Sequence, residues 1–201
     1  MLSFARDLPN LCSLAGLFAA LLGLYFAVRG VLPAAMAGLL WAVVFDWSDG
    51  IIARRMKGRT AERRAFGAQL DSLIDVISFS VAPAVLLLSA GDWALWCLPG
   101  AFVVLASGAI RLSYFNVFGL IDGATYRGVP LDTNVLVLAP LVAIEPLVGQ
   151  TAFVVTLYGV LLLLAALNLA PIETPKLSGR WYYVVIAYAL ALSGVYLLQL
   201  A

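Results

Sequence analysis

Residues 37–55 read AGLLWAVVFDWSDGIIARR, and residues 67–90 read GAQLDSLIDVISFSVAPAVLLLSA. Both are apolar over most of their length, and a bilayer-spanning helix needs roughly 20 mostly apolar residues. Yet the first carries Asp46 and Asp49, and the second carries Asp71 and Asp75. A charge at membrane depth costs about 3 kcal/mol even on the most lenient insertion scale, so four acids here require compensation. Spacings of i, i+3 and i, i+4 put each pair on one helix face. A hairpin across the basic connection between the stretches brings the two faces to the same depth.

Working outward, the same apolar texture fills the chain. Of 201 residues, 64% are hydrophobic and 11% charged, which excludes a soluble domain of this length and makes lipid the solvent. Seven spans are expected, at 10–29, 32–56, 68–90, 93–117, 130–148, 151–170 and 180–200. The fold class is therefore an all-α polytopic bundle of about six to eight transmembrane helices, with residues 1–201 forming a single domain. The first span is expected to be retained as a helix, because its apolar run is too long for a cleaved leader and Asp7 interrupts the basic leader. Pro83 is expected to kink the third span.

Basic residues set the orientation. Arg54, Arg55, Lys57, Arg59, Arg63 and Arg64 crowd the connection between spans two and three. Arg6, Arg111, Arg127, Lys176 and Arg180 fall on the same side if spans alternate, and only Arg29 lies opposite. The positive-inside rule then puts the N-terminus and the acidic face in the cytoplasm and the C-terminus outside. An integral cell-membrane location follows, with no nucleic-acid partner. Cys12 and Cys97 sit far apart in spans and read as buried thiols. No histidine is present, which removes the usual general base and zinc ligand.

Any chemistry must therefore run on carboxylates. Four bare ones would repel one another, and two divalent cations would offset their formal charge. All-oxygen ligation selects hard ions such as Mg²⁺ or Mn²⁺, and a paired-metal site suits phosphoryl transfer. The alternative pairs the acids with neighbouring arginines. The intervening residues favour the metal site: Gly50 and Ala53 keep the helix surface low, Arg54 can contact a diphosphate, and Gly67 leaves space beside Asp71.

The full string, Asp46-x2-Asp49-Gly50-x2-Ala53-Arg54-x12-Gly67-x3-Asp71-x3-Asp75, resembles the defining motif of the CDP-alcohol phosphotransferases at every fixed position. Only the gap between Arg54 and Gly67 is longer than usual. The resemblance implies that Asp46, Asp49 and Asp71 hold two ions. Asp75 would be both ligand and catalytic base, and Gly50, Ala53, Arg54 and Gly67 would line the cytidine-diphosphate pocket.

Residues 76–84, VISFSVAPA, together with Arg111-Leu112-Ser113-Tyr114-Phe115-Asn116 and Tyr126-Arg127-Gly128-Val129-Pro130, are similar to the phosphatidylserine synthase branch. Leu8-Pro9-Asn10 matches the usual entry into span one. This implies transfer of a phosphatidyl group from CDP-diacylglycerol, or an ether-lipid equivalent, to L-serine, and a homodimer. Arg111 and Asn116 become candidate acceptor-binding residues, and Arg111 alternatively snorkels to headgroups. Leu131-Asp132-Thr133 departs from the branch, and Asp132 keeps open another alcohol such as inositol phosphate, glycerol phosphate or choline. A non-catalytic metal carrier is a further alternative, against which Gly50, Ala53, Arg54 and Gly67 weigh. Many relatives carry an eighth span, where this sequence offers seven.

Overall fold

A computed structural model describes residues 2–177 and 179–201. After a one-turn helix α1 (Leu2–Ala5) come α2 (Leu8–Val28), α3 (Leu32–Arg55), α4 (Ala61–Val76) and α5 (Ala82–Ala90). Then follow α6 (Leu98–Phe118), β1 (Thr125–Arg127), α7 (Asp132–Ala143), α8 (Gln150–Leu169), β2 (Glu173–Pro175) and α9 (Arg180–Leu200). Among the described residues, six helical stretches are long and apolar enough to cross a membrane: Leu8–Val28, Leu32–Arg55, Ala61–Ala90, Leu95–Phe118, Gln150–Leu169 and Arg180–Leu200. The chain is thus an all-α polytopic membrane protein. Large apolar side chains such as Phe18, Phe102 and Leu198 point outward, as a lipid solvent requires.

The expected span at 130–148 is the one that differs. Its helix α7 has 12 residues, about 18 Å at 1.5 Å per residue, short of a full crossing. It is followed by a 3₁₀ turn at Glu145–Leu147. α7 still runs from the acidic end to the far end: Trp47 reaches Asp132 at its start, and Gln199 of the last helix reaches the Ala143 carbonyl at its finish. The third span also begins earlier than its apolar run, at Ala61. Thr60 caps that helix by accepting the Arg63 amide at 3.3 Å, so a polar first turn extends beyond the lipid-facing part.

Close packing of α2 on α3 comes from small residues. A Cβ on Gly38 would lie 2.8 Å from the Ala19 carbonyl oxygen and 2.8 Å from the Gly23 nitrogen. The backbones can approach this closely only because neither glycine carries a side chain. The Gly38 surface is therefore used within the chain.

Between α4 and α5 the helix widens into a π turn at Ile77–Val81, which begins two residues after Asp75. Asn134 Nδ2 donates to the Phe79 carbonyl there at 3.2 Å, tying the widened turn to α7. The irregularity in this span is the π turn, which ends two residues before Pro83. Pro83 lies inside the continuous helix Ala61–Ala90, and its missing N–H leaves the Phe79 carbonyl, four residues earlier, free for Asn134.

The short strands β1 and β2 pair antiparallel, with Tyr126 opposite Thr174 and Arg127 opposite Glu173. Gly128 follows at φ +77, with the Asn168 carbonyl lying where a Cβ would stand. Only glycine suits that position. The ribbon holds Tyr126 and Lys176 over the acidic end of the bundle.

Candidate active site

Asp46 and Asp49 occupy the last turns of α3, and Asp71 and Asp75 lie on the facing side of α4. One carboxylate oxygen from each of Asp46, Asp49 and Asp71 lies within 4.8 Å of the others. Asp75, one turn further along α4, lines the same cavity. The Ser13 hydroxyl of α2 donates to Asp49 Oδ2.

Among the described residues none of these four acids has a basic partner within ion-pairing distance; the only acid so paired is Asp7, with Arg59 and Arg63. The arginine-pairing alternative is therefore not what the fold adopts. Clustered, largely buried carboxylates without a counter-charge fit a divalent cation held by oxygen, and the residues present suit that group.

Two cavities meet at this cluster. The larger, about 430 Å³, is lined by all four acids, by Arg54, and across from them by Arg111, Tyr126, Asp132 and Lys176. The smaller, about 210 Å³, is lined by Asn10, Ser13, Ala53, Arg59 and Gly67. Asp49, Gly50 and Asp71 belong to both. A Cβ on Gly50 would meet only the Arg54 guanidinium, at 3.4 Å. The Arg54 guanidinium thus lies back along α3 beside Gly50, within the same cavity as the acids. Gly67 is filled differently, by Asn10 Oδ1 and Arg59 Nη2, at 2.8 and 3.0 Å from where its Cβ would be.

The far wall is fixed by hydrogen bonds. Trp47 Nε1 donates to Asp132 Oδ2 at 2.7 Å, and the Thr133 amide donates to Oδ1 at 3.0 Å. Arg111 is buried, donates through Nε to the Val129 carbonyl at 2.7 Å, and lies 5.4 Å from the centre of the Tyr126 ring. Burial, and then the negative charge of Asp132, push the Tyr126 phenol up to about 12, so it stays a neutral donor at physiological pH. Burial and then the Arg54 charge lower the Lys176 amine from its ordinary value.

Of the residues expected from sequence, Asp46, Asp49, Asp71, Asp75, Gly50, Arg54, Arg111 and Asp132 converge on the larger cavity, and Ala53 and Gly67 on the smaller. Asn116 lines neither. It is exposed and accepts the Ser72 hydroxyl at 2.9 Å. Ser13, Arg59, Tyr126 and Lys176 join the site without being expected there from sequence. Ser13 lies one turn after the Leu8-Pro9-Asn10 entry, so the i, i+4 spacing from Pro9 is the available signal. Lys176 has none, since only the β1–β2 pairing brings it to the site.

Residues 6–193 match the family described as CDP-alcohol phosphatidyltransferase. The chain is 35% identical over 176 residues to an archaetidylserine synthase of Methanothermobacter thermautotrophicus, covering 86% of this chain and 71% of that protein. It is 30% identical over 154 residues to a CDP-diacylglycerol–serine O-phosphatidyltransferase of Methanocaldococcus jannaschii, covering 77% and 70%. A protein of the same name from Helicobacter pylori is 28% identical over 128 residues, covering 61% and 52%.

Proposed function

The chain belongs to the CDP-alcohol phosphatidyltransferase family, and we propose on that premise that it moves the phosphatidyl group of a CDP-linked lipid onto the hydroxyl of L-serine. The observation that carries the proposal is the position of the acids at the junction of two chemically different cavities. The smaller, with its glycine, alanine and arginine lining, suits the nucleotide. The larger opposes the acids with Arg111 and Asp132, which suit the two ends of a zwitterion. The names of the relatives support serine independently.

Arg111 spends Nε on Val129, leaving the remaining guanidinium donors to take the serine carboxylate. Each Asp132 oxygen accepts one bond and keeps a lone pair for the ammonium group. Between those anchors the serine hydroxyl is directed toward the acids, and Asp75 takes its proton. The serine oxygen forms a new bond to the lipid-bearing phosphorus as the bond from that phosphorus to the CMP oxygen breaks. Arg54, folded over Gly50, holds the diphosphate. Asp46, Asp49, Asp71 and Asp75 would hold two divalent cations, Mg²⁺ or Mn²⁺, which when bound stabilise the negative charge on the attacking and departing oxygens.

The basic residues gathered at the acidic end support a cytoplasmic active site in the cell membrane, and the family resemblance supports a homodimer. The test of function is direct. Purified protein receives CDP-diacylglycerol, Mn²⁺ or Mg²⁺, and one acceptor at a time, with CMP release and lipid products read by mass spectrometry. Serine is expected to give phosphatidylserine and CMP. Product with inositol phosphate, glycerol phosphate or choline but none with serine contradicts the acceptor assignment. Metal flux into proteoliposomes without any CMP supports a carrier.

A further inference from the structure

We infer that the smaller cavity reads the cytosine base through Asn10 and Arg59, and that buried Asp7 is the positioning residue that aims Arg59 at it. The inference rests on the CDP-linked donor proposed above. Asp7 lies in the turn before α2, and its side chain is 2% exposed. Its Oδ2 accepts Arg59 Nε at 2.7 Å, and the Arg59 side chain is itself only 9% exposed. A guanidinium anchored through Nε keeps the four N–H donors of its two terminal nitrogens for other partners. One of these nitrogens, Nη2, lies over Gly67 and lines the cavity.

Asn10 supplies the opposite character. Its Nδ2 donates to the Phe4 carbonyl at 2.9 Å. A carbonyl only accepts, so this bond fixes which way the carboxamide points. Asn10 Oδ1 therefore faces Gly67, and among the described residues it accepts no hydrogen bond.

An acceptor and a donor thus converge over one glycine, in a wall shared with Asp49 and Asp71. Cytosine presents an amino donor at N4 beside an acceptor at N3. Uracil presents an acceptor at O4 beside an N–H at N3. Oδ1 and Nη2 complement the first edge at both atoms and oppose the second at both, which discriminates by repulsion as well as attraction. Nη2 also donates one hydrogen to the Arg63 carbonyl at 3.4 Å, which fixes it in place and leaves its second hydrogen for the base.

The experiment is calorimetric titration of the full-length purified protein with CDP and separately with UDP, in Mg²⁺ and without any acceptor. The wild type is expected to bind CDP at least about a hundredfold more tightly than UDP, as a site that pairs its polar edges does. Arg59→Gln and Asp7→Asn should each shrink that ratio by about tenfold or more, chiefly by weakening CDP. Asp7→Glu, which keeps the anchor, should restore most of it.

An unchanged ratio in Arg59→Gln overturns the inference, and so does equal weakening of both nucleotides. If Asp7→Asn does not fold, Arg59→Gln and Asp7→Glu carry the test. A wild type that binds neither nucleotide removes the CDP-linked donor itself. The serine assignment is untouched in every arm, because no acceptor is present.

Discussion

Two kinds of buried acid lie at the same end of this molecule, barely one helix apart. Asp7 is buried and paired with Arg59 at 2.7 Å. Asp46, Asp49 and Asp71 draw their oxygens within 4.8 Å of one another with no basic partner in reach among the described residues. The first arrangement is complete within the chain. The second is not: like charges held together away from water destabilise the fold until something positive arrives. The contrast separates an acid neutralised within the chain from acids whose charge, among the described residues, has no partner. Arg111 and Asp132 form a third case, opposite charges that line one cavity and, among the described residues, form no ion pair with each other.

The largest expected effect is on chemistry. Asp75→Asn should lower turnover by about a thousandfold, the usual scale for a lost general base, while CDP-lipid binding stays measurable by calorimetry. Normal turnover in this variant would remove Asp75 from the role of base. Next comes the acceptor wall. Arg111→Lys and Asp132→Asn should each reduce kcat/KM for serine by about thirtyfold or more, consistent with losing one partner of a buried charge contact. Steady-state kinetics at saturating CDP-lipid check this, and an unchanged value would return Arg111 to a headgroup-anchoring role.

The paired and unpaired acids should also respond to neutralisation with opposite sign. Asp7→Asn strands Arg59 and should cost about 3 kcal/mol of stability. In chelator, Asp49→Asn relieves repulsion and should stabilise by about 3 kcal/mol, the scale of one like-charge contact at an effective dielectric near 20. Melting curves of both variants in EDTA decide this, and a loss of stability in both would erase the contrast. Mn²⁺ should then raise the melting temperature of the wild type and far less that of Asp49→Asn. The smallest effect is expected at Asn116→Ala, whose serine kinetics should stay within about twofold because the side chain is exposed and away from both cavities.

Most of the bundle is legible in the sequence because lipid imposes a length and a composition on each crossing. The expected edges fall close to those of α2, α3, α6, α8 and α9. Hydropathy reads membrane depth rather than helix extent, so it misses the polar first turn that Thr60 caps. It also cannot tell the short α7 from a full crossing, since Leu136 and Leu138 look the same in either. The four acids are legible because an apolar run rarely tolerates a carboxylate that binds nothing.

The rest of the site is hidden in the sequence for a tertiary reason. A serine one turn into α2 looks like any helix serine until Asp49 faces it. Arg59 looks like one more loop arginine until Asp7 captures it. Tyr126 and Lys176 come together only through three-residue strands, too short to leave a periodic trace.

We propose that the unpaired acids, with divalent cations bound, transfer a phosphatidyl group to serine. Product analysis of purified protein given CDP-diacylglycerol and L-serine, with Mn²⁺ or with excess EDTA, tests this most directly. Phosphatidylserine and CMP in equal amounts are expected with the metal, and neither in chelator. Undiminished product in chelator, or CMP released with no phosphatidylserine, would contradict it.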